Sequence, residues 1–140
     1  MLTYSMQKRS FLTRQQVEVL GLRELGLTQR EIAERIGTTR ENVSIIEKRA
    51  KVNIERCRET LREWERIRAP ITIKIPKGTD IFDIPGIIFD EADRDEIRVE
   101  LNKLEIIATL EREKKGIIRN RLLTGDLEVL VMKDGGLSVY

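Results

Sequence analysis

Leu27-Thr28-Gln29-Arg30-Glu31-Ile32-Ala33-Glu34-Arg35-Ile36-Gly37-Thr38-Thr39-Arg40-Glu41-Asn42-Val43-Ser44-Ile45-Ile46 reads as two short helices hinged at a glycine. Thr28 and Glu31 make a T-x-x-E capping box, which sets the start of the first helix. Ala33 is small enough for a second helix to cross closely. Gly37 follows the last apolar residue, Ile36, and suits the left-handed conformation that ends a helix. Thr39 then offers an N-cap hydroxyl, and Val43 and Ile46 point back at Ile32 and Ile36. An ordinary helical hairpin has the same spacing. A helix-turn-helix differs in leaving the outer face of its second helix free for recognition, and the rest of the chain weighs on that side.

Upstream, Thr13 and Gln16 repeat the capping-box pattern. Val17, Val19, Leu20, Leu22 and Leu25 give the helix they open a broad apolar face, and Gly26 ends it. Residues up to Phe11 are expected to form a frayed arm carrying Lys8 and Arg9. Downstream, a helical pattern runs from 40 to about 68 without Gly or Pro, with a break near Asn53 left open. Within it Ala50, Ile54, Cys57, Leu61 and Trp64 step by four, three, four and three residues, a seam of roughly two heptads. That seam either pairs two subunits or packs on the second half of its own chain. A homodimer is the favoured expectation, because one small motif seldom binds tightly alone.

Ala69-Pro70 stops the helix. Ile71-Thr72-Ile73-Lys74-Ile75 alternates with the period of a half-buried strand, and Pro76-Lys77-Gly78 makes a turn. A short helix is expected over about 84–94, with Asp83 as its cap and Pro85 in its first turn. Residues 97–101 suggest a second strand. Asn102 and Glu105 mark a helix start, with that helix running to Lys115 before Gly116. Residues 126–132 and 137–140 bracket Asp134-Gly135-Gly136, a hairpin signal. The expected class is therefore α+β: a helix-turn-helix domain with a helical extension over 1–69, then a small α+β domain over 70–140, regulatory or dimerising.

Composition narrows the function. The chain has 140 residues, 36% of them charged and none of them histidine, which excludes His-based triads and His-bearing zinc sites. The single Cys57 fits a reducing cytoplasm, and neither a signal-peptide core nor a run long enough to span a membrane is present. Few Asn, Gln and Cys beside many charges is a thermophile-like balance. Up to Pro70 there are fifteen basic and ten acidic side chains, a net of +5; from Ile71 there are eleven and fourteen, a net of −3. A basic first half points to a polyanion partner for that half alone. Asp90, Glu91, Asp93, Asp95 and Glu96 form the densest acidic cluster. A metal-dependent nucleic-acid enzyme is the alternative they raise, but they lack the order of a calcium loop, and a solvated acidic face is the expectation. Arg119 and Arg121 are read as surface charge pairs. No catalytic residue, cofactor or metal ligand is expected, and any small-molecule effector of a one-component switch stays unspecified.

Leu12-Thr13, Glu18-Val19-Leu20, and Gly26-Leu27-Thr28 with Glu31-Ile32-Ala33 resemble the helix-turn-helix of LuxR-type regulators and of sigma-factor region four. The run from Gly37 to Ser44, with Glu47-Lys48-Arg49-Ala50, Asn53-Ile54-Glu55 and Thr60-Leu61, is similar to the Tfx family of archaeal DNA-binding proteins. Pro76-Lys77-Gly78-Thr79-Asp80, Ile84-Pro85 and Ala92-Asp93 extend the resemblance over nearly the whole chain. It implies sequence-specific double-stranded DNA binding by a transcriptional regulator.

Geometry selects the candidate side chains without the family. With Val43 and Ile46 inward, the second helix exposes Thr39, Arg40, Glu41, Ser44, Ile45 and Lys48. Arg40 sits in the first turn, where an arginine pairs with guanine O6 and N7. Ser44 suits a base edge or a phosphate, Ile45 a thymine methyl or internal packing. Glu41 is read as a solvated or intrahelical charge before a partner for cytosine. Thr28 and Gln29 open the preceding helix at its anion-attracting end. Lys48 and Arg49, with Lys51, would follow the phosphate backbone.

Overall fold

The computed structural model describes residues 9–140, so Lys8 of the expected arm lies outside them. The chain divides into two compact units between Leu61 and Arg62.

The first unit is helical: α1 (Arg14–Glu24), α2 (Gln29–Ile36) and the start of α3 (Arg40–Arg68). Thr13 Oγ1 accepts from the Gln16 N–H at 3.1 Å, and Gln16 Oε1 accepts from the Thr13 N–H at 3.0 Å, a complete capping box. α2 has half of the expected box. Thr28 Oγ1 accepts from the Glu31 N–H at 3.2 Å, but the exposed Glu31 side chain makes no return bond, because water serves its carboxylate as well. Gly37 closes α2 at φ 75°, ψ 42°, and its N–H donates to the Ala33 carbonyl. Val19, Ile32, Ala33, Val43 and Ile46 are buried together, with Leu22, Leu27 and Ile36 packed around them. This core is too small to cover the broad face expected of α1. Leu25 is 77% exposed, while Val17 and Leu20 are only half-buried.

The break considered near Asn53 does not occur; α3 is continuous. Asn53 Nδ2 instead donates to the Phe11 carbonyl at 3.3 Å and to Gln16 Oε1 at 3.4 Å. Its amide is thereby kept from competing for the helix backbone. Along the heptad seam Ala50 is buried, Ile54 and Cys57 are half-buried, and Leu61 and Trp64 are exposed.

The second unit is an α+β arrangement with helix on both faces of a sheet. β1 (Ile71–Ile75), β4 (Leu127–Val131) and β5 (Leu137–Val139) form an antiparallel sheet with β4 central. Ile71 pairs with Val131, Ile75 with Leu127, and Val129 with Val139. Ile71, Ile73 and Ile75 face inward as their alternation requires, against α4 (Ile84–Arg94) and α5 (Lys103–Glu113). Ile84, Ile88, Ala92, Ile106 and Leu110 close that core. On the other face the last residues of α3 pack over the sheet. Arg66 donates to Glu128 through Nε at 2.7 Å and Nη2 at 3.0 Å. The Tyr140 hydroxyl donates to the Glu65 carboxylate, and the Arg62 guanidinium stacks 4.9 Å over the Tyr140 ring. Gly135 in the β4–β5 turn has no substitute: at φ +88° an added Cβ would lie 2.0 Å from the Arg98 carbonyl oxygen.

Three expectations for this unit change, and one element is added. Residues 97–101 form no ladder, although Ile97, Val99 and Leu101 pack on the core. Their alternation reports one-sided burial, which an extended segment shows without a strand partner. Asp83 holds the N-cap position of α4 without a side-chain cap bond, its backbone being already helical at φ −87°, ψ −18°. α5 ends at Glu113, and Gly116 lies inside a 3-10 turn (Lys115–Ile117). A small hairpin, β2 (Ile118–Arg119) and β3 (Leu122–Leu123), was not anticipated. Its two-residue turn places Asn120 and Arg121 at φ 50° and 71°. Asn tolerates that form, whereas Arg121 is held by Asp80, 3.0 Å from its Nε, and by the Phe82 ring at 4.7 Å.

Candidate nucleic-acid interface

α2, Gly37 and the first turns of α3 are held in a helix-turn-helix by side chains that the sequence supplies locally. Thr39 Oγ1 accepts from the Asn42 N–H at 3.1 Å, while Asn42 Nδ2 donates to Thr38 Oγ1 at 2.9 Å. These bonds occupy the free backbone donor and fix the first turn of α3. Val43, Ile46, Glu47 and Ala50 then form the buried stripe of the helix.

Arg40, Glu41, Ser44, Lys48 and Arg49 are exposed, as is Ile45 at 49%. Their side chains make no hydrogen bond or ion pair among the described residues. Ile45 therefore spends half its surface in water on a face otherwise set with polar and cationic groups. The structure brings these six to one side of α3. It puts the others to work elsewhere: the hydroxyls of Thr28 and Thr39 serve as caps, and Gln29 Nε2 donates to Glu47 at 3.1 Å.

Glu47 is what the sequence reading missed. It is only 5% exposed, yet Arg23 Nε lies 3.2 Å and Lys51 Nζ 3.0 Å from its oxygens. Burial pushes its pKa up, but the bonds from Gln29, Lys51 and Arg23 outweigh this and hold it below the ordinary 4.5. Glu47 thus ties α1, α2 and α3 together as a carboxylate. Two signals were available: its place on the stripe of Val43, Ile46 and Ala50, and Lys51 four residues on.

The acidic cluster of the second half supplies no competing site. Asp90, Asp93, Asp95 and Glu96 are exposed, Glu91 is paired with Arg94 at 3.0 Å, and no three carboxylates or thiols converge as a metal centre among the described residues.

Two family models match the chain. The model for sigma-70 region 4 matches residues 11–59. That for the family described as "DNA-binding protein, TFX, C-term" matches residues 57–139. The chain is 33% identical over 134 residues to the DNA-binding protein Tfx of Methanothermobacter thermautotrophicus, covering 96% of this chain and 97% of that one. Two further relatives, each named "Putative transcriptional regulatory protein", come from Methanocaldococcus jannaschii and Thermococcus kodakarensis. The first is 42% identical over 96% of this chain and 98% of its own. The second is 44% identical over 94% and 85%. A sigma-type helix-turn-helix joined to this C-terminal unit, with relatives matched along almost their full length, means that the chain belongs to the Tfx family of DNA-binding proteins.

Proposed function

We propose that the chain is a transcription regulator that reads the major groove of double-stranded DNA with the first turns of α3. The observation that carries this reading is the division of α3 between a buried stripe and an opposite face where Arg40, Ser44, Ile45 and Lys48 have no side-chain partner among the described residues. Unused donors and a cation at the start of a helix suit base edges and phosphates. Arg40 is the guanine reader, Ser44 and Ile45 flank it, and Lys48 and Arg49 meet phosphates. Glu41 remains a solvated charge. Thr28, Gln29 and Thr39 act through the backbone N–H groups of the helix starts, since their side chains are engaged.

The seam of α3 pairs two copies, so that two recognition helices face half-sites about one turn of DNA apart. The work of such a regulator is cytoplasmic; no helix among the described residues is long and apolar enough to cross a membrane. Selection of bound fragments from random duplex DNA without magnesium tests the proposal. An enriched inverted repeat is expected. Salt-sensitive binding without enrichment would overturn sequence-specific reading, and a monomer by light scattering on the bound fragment would overturn the pairing.

A further inference from the structure

Beyond its recognition turns α3 carries cations that are used unequally. Lys51 lies 3.0 Å from Glu47, and Arg58 lies 3.8 Å from Glu55. Lys48, Arg49 and Arg56 have no such partner among the described residues. These three line a single open groove of about 550 Å³ together with Gln16, Ile45, Val52 and Asn53, and no carboxylate borders it. Asn53 Nδ2 is already committed to Gln16 Oε1 and the Phe11 carbonyl, so what the groove offers is mainly charge and apolar surface.

Length decides what such a groove meets. Arg56 follows Arg40 by sixteen positions, about 24 Å along a helix at ~1.5 Å per residue. A major groove is only ~12 Å wide. With Arg40 at base edges, Arg56 stands at the phosphate wall or beyond it. The unbroken course of α3 through Asn53 is what carries it there.

We infer that this groove is a phosphate saddle: the backbone of one DNA strand crosses α3 between Lys48 and Arg56, with Arg56 as the outermost contact. Three like charges without a carboxylate repel one another until a polyanion neutralises them, and Ile45 and Val52 lie against the sugars. The inference rests on the major-groove reading proposed above and adds the strand's path to it.

The test compares the full chain with its Arg56→Ala, Arg56→Lys, Arg58→Ala and Arg40→Ala variants. Each is titrated with the selected duplex and with a random duplex over a range of salt. Arg56→Ala is expected to weaken both complexes by the same several-fold factor and to lower the salt slope by about 1. Arg56→Lys keeps the slope, and Arg58→Ala changes nothing. Arg56 is exposed, so the thermal melt of each variant should match the parent. A wild-type slope for Arg56→Ala would overturn the saddle, and so would a loss confined to the selected duplex. If Arg40→Ala still abolishes the preference in that case, the major-groove reading survives alone. If the parent chain prefers no duplex, both fall.

Discussion

In the helical unit, Glu47 is held by Arg23, Gln29 and Lys51; in the α/β unit, Glu128 is held by Arg66, with Arg62 3.9 Å away. Both carboxylates are buried, and both are held below the ordinary 4.5. The units differ in what is left over. In the α/β unit the cations of α3 closest to the sheet, Arg62 and Arg66, are spent on Glu128 and the Tyr140 ring. In the helical unit Arg40, Lys48, Arg49 and Arg56 remain unspent. Net charges of +5 and −3 for the two halves of the sequence point the same way but miss the cause. Along α3 itself, internal pairing separates the cations held over the sheet from those left at the surface.

The most disruptive substitution removes the carboxylate that organises the helical unit. Glu47→Ala strands Arg23 and Gln29 at the meeting point of three helices. Breaking an enclosed pair costs ~3–5 kcal/mol. Arg23 and Lys51 are 40% and 66% exposed, so about 2 kcal/mol is expected here. Denaturant unfolding followed by helix signal should show the loss in the helical unit, and an unchanged midpoint would mean that Glu47 only fills space. Next comes an unspent cation. Arg40→Ala should cost ~1–3 kcal/mol on the selected duplex and much less on random DNA, with no change in stability. An equal loss on both would make Arg40 a phosphate contact.

Legibility in the sequence followed the range of the forces involved. The Thr13, Thr28, Thr39 and Asn102 caps, the Gly37 hinge, the alternation of β1 and the Asp134-Gly135-Gly136 turn are set by residues within four positions of one another, and each lies where its pattern placed it. Residues 97–101 misled because burial and pairing share one period, and only the fold shows whether a partner strand is beside them. The β2–β3 hairpin had no Gly at its second turn position to announce it; Arg121 is kept there by Asp80 and Phe82, some forty positions away. The exposed side chains of α3 were legible because inward and outward alternate with helical period. Of the Glu47 cluster only the place of Glu47 on the buried stripe and the Lys51 pair were legible, since Gln29 and Arg23 lie eighteen and twenty-four positions away.

The acid limb separates the two carboxylates from the rest of the surface. For Glu128 the Arg66 hydrogen bond is the largest cause of the lowered pKa; for Glu47 three hydrogen bonds overcome an opposing burial. A folded pKa below the unfolded one contributes stability that is complete above the ordinary 4.5 and lost as pH falls through the folded value. Melting temperature should therefore drop below about pH 4.5 in the parent chain. The gaps to Glu47→Gln and Glu128→Gln should narrow over the same interval. A gap that stays constant down to pH 3 would show that the variant lost packing rather than a charge interaction.

The smallest effect lies at the alkaline end and belongs to the α/β unit alone. Burial first, and then the hydrogen bond to the Glu65 carboxylate, push the Tyr140 hydroxyl up to about 12. Here the sign reverses. A raised folded pKa contributes stability that is complete below the ordinary 10 and lost as pH rises through about 12. Ionised Tyr140 would also face Glu65 as a second anion with no proton to share. Tyr140→Phe removes both the titration and the bond, so its stability gap to the parent should hold up to pH 10 and close as pH approaches 12. The helical unit, followed through the salt slope of DNA binding at moderate pH, should not notice the substitution. A gap that persists to pH 12 would mean that the Glu65 contact is open to water, and that in this unit the sheet, rather than the charge network over it, holds Tyr140 in place.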